Sequence, residues 1–414
     1  MIDKYIFARI AERIDSYEEA MIEMQIALTA MPALSPENGG DGEYEKSRYI
    51  ISSLRRLGFS GIKEINAPDS RVSSGIRPNI IVNVPGKNLK KTVWILTHID
   101  IVPPGEIKFW RRDPYEGYVK KGKIYGRGTE DNQQDLVASL FAAKAFLDEG
   151  VVPEMSIGLA LVSDEETASS KGLSYLLENE SNPFLKKDLL VIPDSGNAKG
   201  TMIEVAEKSI LWLRIETRGK QCHGSKPYLG NNAFMAASHL VVRLNDLHQI
   251  FDTVDLIYDP PASTFQPTKK EANVPNINTI PGEDVFYLDC RVLPRYHLTE
   301  IVAEIRKMAD EIEKRFGVEI KIAPVQQAQA PKSTPHDAPV VLALQEAIRE
   351  VYQVEAHPAG IGGGTVAAFF RRRGYPAAVW SRITQTAHQP DEHCLIANML
   401  GNAKVYAHLF LQRQ

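Results

Sequence analysis

The chain has 414 residues, 43% hydrophobic and 24% charged, with 48 basic against 52 acidic side chains and a formal net charge of −4. That length exceeds what one compact core usually holds and predicts two domains, while the near balance of charge excludes a general nucleic-acid binder, which needs a net basic face. The early apolar residues are interleaved with Asp3, Lys4, Arg9, Glu12 and Arg13, no apolar run is long enough to span a bilayer, and the three cysteines are odd in number and widely spaced, so a cytoplasmic protein with neither membrane span nor disulfide framework is predicted.

Along the chain, Ile6, Ile10 and Ile14, then Met21, Met24 and Leu28, recur at helical spacing until Pro32, Pro36 and Gly39-Gly40 end the region. A second helix is predicted over Tyr44 to Leu57, stopping at Gly58. Strands follow at Ile80 to Val84 and Thr92 to Leu96, the latter apolar on both faces as a buried central strand is. Helix Asp135 to Glu149, strand Ser156 to Val162, helix Lys171 to Glu180 and strand Leu189 to Ile192 then alternate, which predicts a mostly parallel sheet covered by helices on both faces. Near residue 207 the character changes. Strands at Ser209 to Thr217, Asn276 to Ile280, Val285 to Arg291 and Val318 to Ile322, with helices at Ala233 to Leu247 and Leu298 to Phe316, give the β-α-β-β-α-β order of the split βαβ unit. Gln326 to Pro339 reads as a return linker. Helix–strand alternation then resumes through Leu342 to Tyr352, Val366 to Arg373, Ala377 to Ser381 and Glu392 to Leu411. The expected organisation is an α/β domain over 1–206 and 331–414, interrupted by an α+β domain over 207–330.

Five short segments carry acids and imidazoles at the ends of predicted strands or in the loops beyond them, where open α/β sheets place their sites. In Thr97-His98-Ile99-Asp100, the His and Asp are two apart and share one side of an extended chain. In Tyr125-Gly126-Arg127-Gly128-Thr129-Glu130-Asp131-Asn132, Asp131 stands before a helix, where an Asp taken alone is more commonly just an N-cap. Ser163-Asp164-Glu165-Glu166-Thr167 sets two adjacent glutamates at the mouth of a buried strand, which is costly unless a cation balances them. One glutamate can then ligate while the other takes a proton from water. Pro193-Asp194-Ser195 and Ala387-His388-Gln389-Pro390-Asp391-Glu392 complete the set. Each segment has a bland reading by itself; their shared placement at strand ends favours a site. With no Cys-x-x-Cys pair, His and carboxylate ligands suit zinc, with cobalt or manganese as alternatives, and their number suits two divalent ions.

With these motifs in this order over nearly the whole chain, the sequence resembles the dinuclear zinc aminoacyl hydrolases, the group of acetylornithine deacetylase, succinyl-diaminopimelate desuccinylase, aminoacylase and the glutamate carboxypeptidases. The resemblance implies that His98, Asp131 and Asp194 hold one zinc and that Glu166, Asp131 and His388 hold the other. Asp131 is then the bridge, Asp100 orients His98, and Glu165 is the general base. It also implies a ferredoxin-like lid and dimerisation domain. In that domain His223, within Gln221-Cys222-His223-Gly224-Ser225, stabilises the oxyanion, typically from the partner subunit. Asn278 and Arg291 are implied to bind a substrate carboxylate, for which Arg has the fork geometry; Gly363 and Gly364, ahead of a helix, offer backbone N–H groups to a carboxylate. Two departures from the pattern stand out: Thr97 where glycine is usual before His98, and Val366 where many relatives carry an Asp. The implied activity is amide hydrolysis of an N-acyl amino acid or small peptide by a homodimer. An N-acyl-diamino-acid deacylase such as succinyl-diaminopimelate desuccinylase is the leading expectation, and a dipeptidase or carboxypeptidase is the alternative. A non-catalytic binding protein of the same fold is the third, disfavoured because Glu165 and every implied ligand are present.

Overall fold

The structure is a computed structural model and describes residues 2–413. The chain forms two compact units: one comprises the residues up to Val205, Thr334–Pro358 and those from Thr365 onward, the other Ala206–Ser333 and Ala359–Gly364.

The first unit is built on a sheet in the order Ile62–Pro68, Ile76–Val84, Met155–Val162, Asn88–His98, Leu189–Asn197, Ala377–Arg382 and Met202–Glu207. From Met155–Val162 to Ala377–Arg382 the four central strands run parallel, and the flanking pairs Ile62–Pro68/Ile76–Val84, Ile76–Val84/Met155–Val162 and Ala377–Arg382/Met202–Glu207 are antiparallel. The central position of Asn88–His98 follows from its apolar run: Val93, Trp94, Ile95 and Leu96 are all buried. Gly158 makes room for that strand's indole, since a Cβ there would lie 2.3 Å from Trp94. Helix Gln134–Asp148 is apolar nearly all round and almost wholly buried, as a helix packed on both sides has to be.

In the second unit an antiparallel sheet runs in the order Thr264–Lys270, Glu283–Val292, Ser209–Arg218, Glu319–Ala328, which with helices Ala233–Arg243 and Leu298–Phe316 is the ferredoxin-like arrangement. Ile301, Ile305, Met308 and Ile312 line the buried stripe of the long helix against Leu211, Leu213, Phe286 and Leu288 of the sheet.

Three sequence expectations are corrected. The second strand of this sheet is Thr264–Lys270, not Asn276 to Ile280, of which only Thr279–Ile280 is extended and pairs with Cys222–His223. Thr264–Lys270 is mostly polar and contains Pro267, a composition tolerated because it is an edge strand with an irregularity between Pro267 and Lys269. The stretch read as a linker from Gln326 begins instead as strand, through Ala328. Finally, Ala359–Gly364 belongs to the second unit, held there by Lys208 N–H to Ile361 O at 3.0 Å and Gly360 N–H to Ile257 O at 2.7 Å.

Candidate functional site

The parallel strands of the first unit end on one side of the sheet, and the loops leaving them carry the acids and imidazoles. His98 is the last residue of its strand, Glu165 and Glu166 follow Met155–Val162, Asp194 lies near the end of Leu189–Asn197, Asp131 precedes helix Gln134–Asp148, and His388 sits in the loop after Ala377–Arg382. They converge into two groups, His98/Asp131/Asp194 and Asp131/Glu166/His388, with the potential ligand atoms of each group within 4.8 Å of one another.

Asp131 is common to both groups and divides its carboxylate between them. Its Oδ1 lies 2.9 Å from His98 Nε2 and its Oδ2 lies 3.1 Å from His388 Nε2. Asp194 Oδ1 is 3.5 Å from His98 Nε2, and Glu166 Oε2 is 3.2 Å from His388 Nε2. His98 Nδ1 donates to the backbone carbonyl of Asp100 at 3.0 Å, which leaves Nε2 as the nitrogen that faces the carboxylates and whose lone pair a cation held between them would take.

The electrostatics describe a site short of positive charge. Burial pushes Glu166 up to about 7, with the neighbouring Asp131 carboxylate adding to the rise. Burial and the Asp194 carboxylate raise Glu165 well above the usual range. Hydrogen bonds to Asp131 and Glu166 lift His388 to about 10. Burial opposes the charged form of His98, yet Asp100, Asp131 and Asp194 together raise it. Asp131 is held low by His388 and His98 against the effect of its burial. One cause runs through these shifts: buried carboxylates crowd one another with only two imidazoles among them. An N/O donor set of two imidazoles and three carboxylates, one of them presenting an oxygen to each group, fits a pair of divalent cations.

Asp100 meets both His98 and the two glutamates. Its carboxylate oxygen is 3.6 Å from His98 Nδ1 and instead accepts the backbone N–H groups of Glu165 (3.1 Å) and Glu166 (3.0 Å), while its carbonyl orients the imidazole. Sequence reasoning passed over a set of buried charges around the site. Glu392, fully buried, accepts from the backbone N–H groups of Glu130 (3.0 Å) and Asp131 (3.1 Å) and pairs with the Arg127 guanidinium; burial raises it to about 7. Lys46 is buried with no hydrogen-bond partner for its Nζ among the described residues. Burial lowers it to about 8, against the pull of Asp100, Glu43 and Glu392. A signal for the glutamates existed in the sequence: Glu130 and Glu392 are each within four residues of a ligand candidate.

The remaining predicted residues belong to the second unit. His223 is exposed on the short strand Cys222–His223, with Nδ1 accepting from Ser225 N–H at 3.1 Å and 2.8 Å from Ser225 Oγ. Asn278 accepts Asn276 Nδ2–H at 2.6 Å through its side chain and Gly224 N–H at 2.7 Å through its carbonyl. Arg291 holds Asp289 through Nε and Nη2 at 2.7 and 3.0 Å and donates through Nη1 to Gly362 O at 3.0 Å, so three of its five N–H groups are engaged. Gly363 and Gly364 follow Gly362 in the same unit, and the helix beyond them, Ala367–Arg372, has six residues.

Residues 94–412 match the profile of Peptidase family M20/M25/M40. A metallohydrolase of Methanocaldococcus jannaschii is 39% identical over 410 residues, covering 95% of this chain and 98% of its own. A succinyl-diaminopimelate desuccinylase of Cereibacter sphaeroides is 25% identical over 387 residues, covering 92% and 96%. Human carnosine dipeptidase 1 shares the fold, with a TM-score of 0.72 over 99% of each chain at 17% identity. The family profile spans the strands and loops from which both ligand groups are drawn, and the chain belongs to Peptidase family M20/M25/M40 as a metallohydrolase.

Proposed function

We propose that this metallohydrolase cleaves the amide bond of an N-acyl amino acid, most specifically of an N-acyl-diamino acid in the manner of a succinyl-diaminopimelate desuccinylase. The observation that carries the reading is the divided carboxylate of Asp131, which faces an imidazole on each side with one further carboxylate beside each. In this reading His98, Asp131 and Asp194 hold one ion, and Asp131, Glu166 and His388 the other, with zinc as the metal. When bound there, such ions would supply Lewis acidity toward the scissile carbonyl and lower the pKa of the attacking water. Glu165 side-chain oxygens have no partner of their own among the hydrogen bonds of the described residues, so the carboxylate is available to accept the proton from that water and pass it to the leaving nitrogen. Glu165 is fixed by its backbone N–H on Asp100, which leaves its side chain to move the proton.

Support for the acyl-amino-acid substrate comes from the desuccinylase relatives, 24–25% identical over 92–94% of the chain. His223 stabilises the oxyanion, acting in trans; with Nδ1 accepting from Ser225, its neutral tautomer carries the proton on Nε2 and can donate it. A homodimer through the second unit is supported by exposed Phe234, Met235 and Val242 on one helix and by the open edge of Thr264–Lys270. Cytoplasmic residence is supported by three free cysteines, and no helix among the described residues is long and apolar enough to cross a membrane. A dipeptidase or carboxypeptidase with the same pair of ligand groups is the second reading, supported by the fold shared with human carnosine dipeptidase 1 and with a metallo-carboxypeptidase of Sulfolobus solfataricus. Hydrolysis assays with N-succinyl-diamino acids, N-acetyl amino acids and dipeptides, each with zinc, cobalt or manganese, separate the two. The desuccinylase reading expects kcat/KM for N-succinyl substrates to exceed that for dipeptides by at least about a hundredfold; the reverse order sinks it.

A further inference from the structure

Ile383 to Glu392, the loop that presents His388, contains neither helix nor strand, and the His388 side chain is 53% exposed at a backbone φ of 61°. Neither a regular hydrogen-bond ladder nor burial of the imidazole fixes where this ligand stands. The neighbour of Asp131 does. Glu130 is 3% exposed, and no Lys or Arg pairs with it among the described residues. Its Oε1 accepts the backbone N–H of Thr384; its Oε2 accepts the backbone N–H groups of Thr386 and, at 3.0 Å, of Ala387. The hydroxyls of Thr384 and Thr386 complete the shell, shared with the carbonyl of His393. A buried carboxylate normally requires a cation; here the charge is met by three backbone dipoles and two hydroxyls drawn from one loop. Since Glu130 is covalently next to Asp131 and Ala387 next to His388, this one side chain ties the backbone of the shared carboxylate to the backbone of the second imidazole.

We propose that Glu130 is a positioning residue that fastens the His388 loop to Asp131 and so sets the affinity of the Asp131–Glu166–His388 group for its metal ion, with little effect on the His98–Asp131–Asp194 group. This rests on the reading that each group holds one ion. The adjacent Glu392 supports the Asp131 backbone from the other side, so the position of Asp131 survives loss of the Glu130 carboxylate, whereas the His388 loop loses the acceptor for three of its amides. Glu130→Gln isolates this role, because an amide keeps the size but turns an NH₂ toward N–H donors.

The test uses the full-length, metal-free chain in two measurements. In cobalt titrations followed by visible absorption, wild type is expected to take up two ions. E130Q is expected to bind the first within about threefold of wild type and the second about 10–100-fold more weakly, the range for partners that orient ligands. In metal-free hydrogen exchange, peptides covering 383–391 are expected to exchange faster in E130Q, while those covering 94–100 and 155–162 do not change. Unchanged affinity for both ions with unchanged exchange in 383–391 overturns the proposal, as does equal weakening of both ions. Should wild type bind fewer than two ions, the two-ion reading falls on its own, and exchange in 383–391 still decides whether Glu130 fastens the loop. If E130Q does not fold, Thr384→Val, which removes one hydroxyl donor, is expected to weaken the second ion about threefold and speed exchange in 383–391; no change in either overturns the proposal.

Discussion

The carboxylate of Asp100 accepts the backbone N–H of Glu165 at 3.1 Å, so the strand that ends in His98 sets the position of the residue read as the general base. The same carboxylate takes Glu166 N–H at 3.0 Å, while the His98 ring is held by the Asp100 carbonyl. Asp100→Asn keeps that carbonyl and one acceptor oxygen but turns an NH₂ toward one of the two N–H groups. The expected outcome is a kcat lowered about 10–100-fold with the metal at the His98 group retained, because the acid acts on the Glu165–Glu166 turn. Kinetics paired with metal analysis checks this; preferential loss of the His98-group metal would instead show that the carboxylate orients the ring.

Glu165→Ala removes a side chain that no described group hydrogen-bonds and that belongs to neither ligand group. Loss of a general acid–base group lowers turnover by about 10²–10⁴-fold. Metal content and thermal stability are expected to stay at wild-type levels, and turnover within tenfold of wild type would remove Glu165 from the proton pathway.

Chelation of the metal is expected to abolish hydrolysis and to lower the melting temperature, since the acids of the two groups are then left to repel one another. Readdition of metal at about 100 times its Kd should restore about 2.7 kcal/mol of stability. Calorimetry with and without chelator measures it. A melting temperature indifferent to metal would argue against ions bound at Asp131.

A pH effect is expected far from the site. His408 is buried, its Nδ1 facing Gln412 Nε2 at 3.1 Å and its ring edge-on to Phe7, and burial lowers its pKa to about 4. The unfolded chain, with an ordinary value near 6.5, binds the proton more readily, so stability is full above about pH 6.5. It falls as pH drops toward 4 and levels off below that. Between pH 6.5 and 5 the loss attributable to this group is about 2 kcal/mol at most. His408→Phe should therefore lose less stability than wild type over that interval. Parallel denaturation curves for the two proteins would refute the assignment.

Much of the architecture was legible before folding because it depends on local patterns. The apolar run around Trp94, the unbroken apolar character of Gln134–Asp148 and the helical stripe of Leu298–Phe316 each dictate burial on the faces where the structure buries them. The strands at Thr264–Lys270 and Met202–Glu207 were not legible. The first is polar and carries a proline, and the other is a short segment at one end of the large sheet, where partners supplied by the fold outweigh weak intrinsic preference.

By itself, the sequence determined which chemistry is available. It places His98, Asp131, Glu165, Glu166, Asp194 and His388 at strand ends or in the loops beyond them, and that shared placement favours holding cations and moving a proton over the bland use each has alone. Only the tertiary structure decided how they are held. That Asp131 turns one oxygen to each imidazole, that Asp100 supports the glutamates more than the histidine, and that Glu130 grips a loop more than 250 residues away are consequences of which backbone amides lie within 3 Å or so of a buried carboxylate. A buried charge must find donors wherever the packing provides them, and no sequence spacing records that distance.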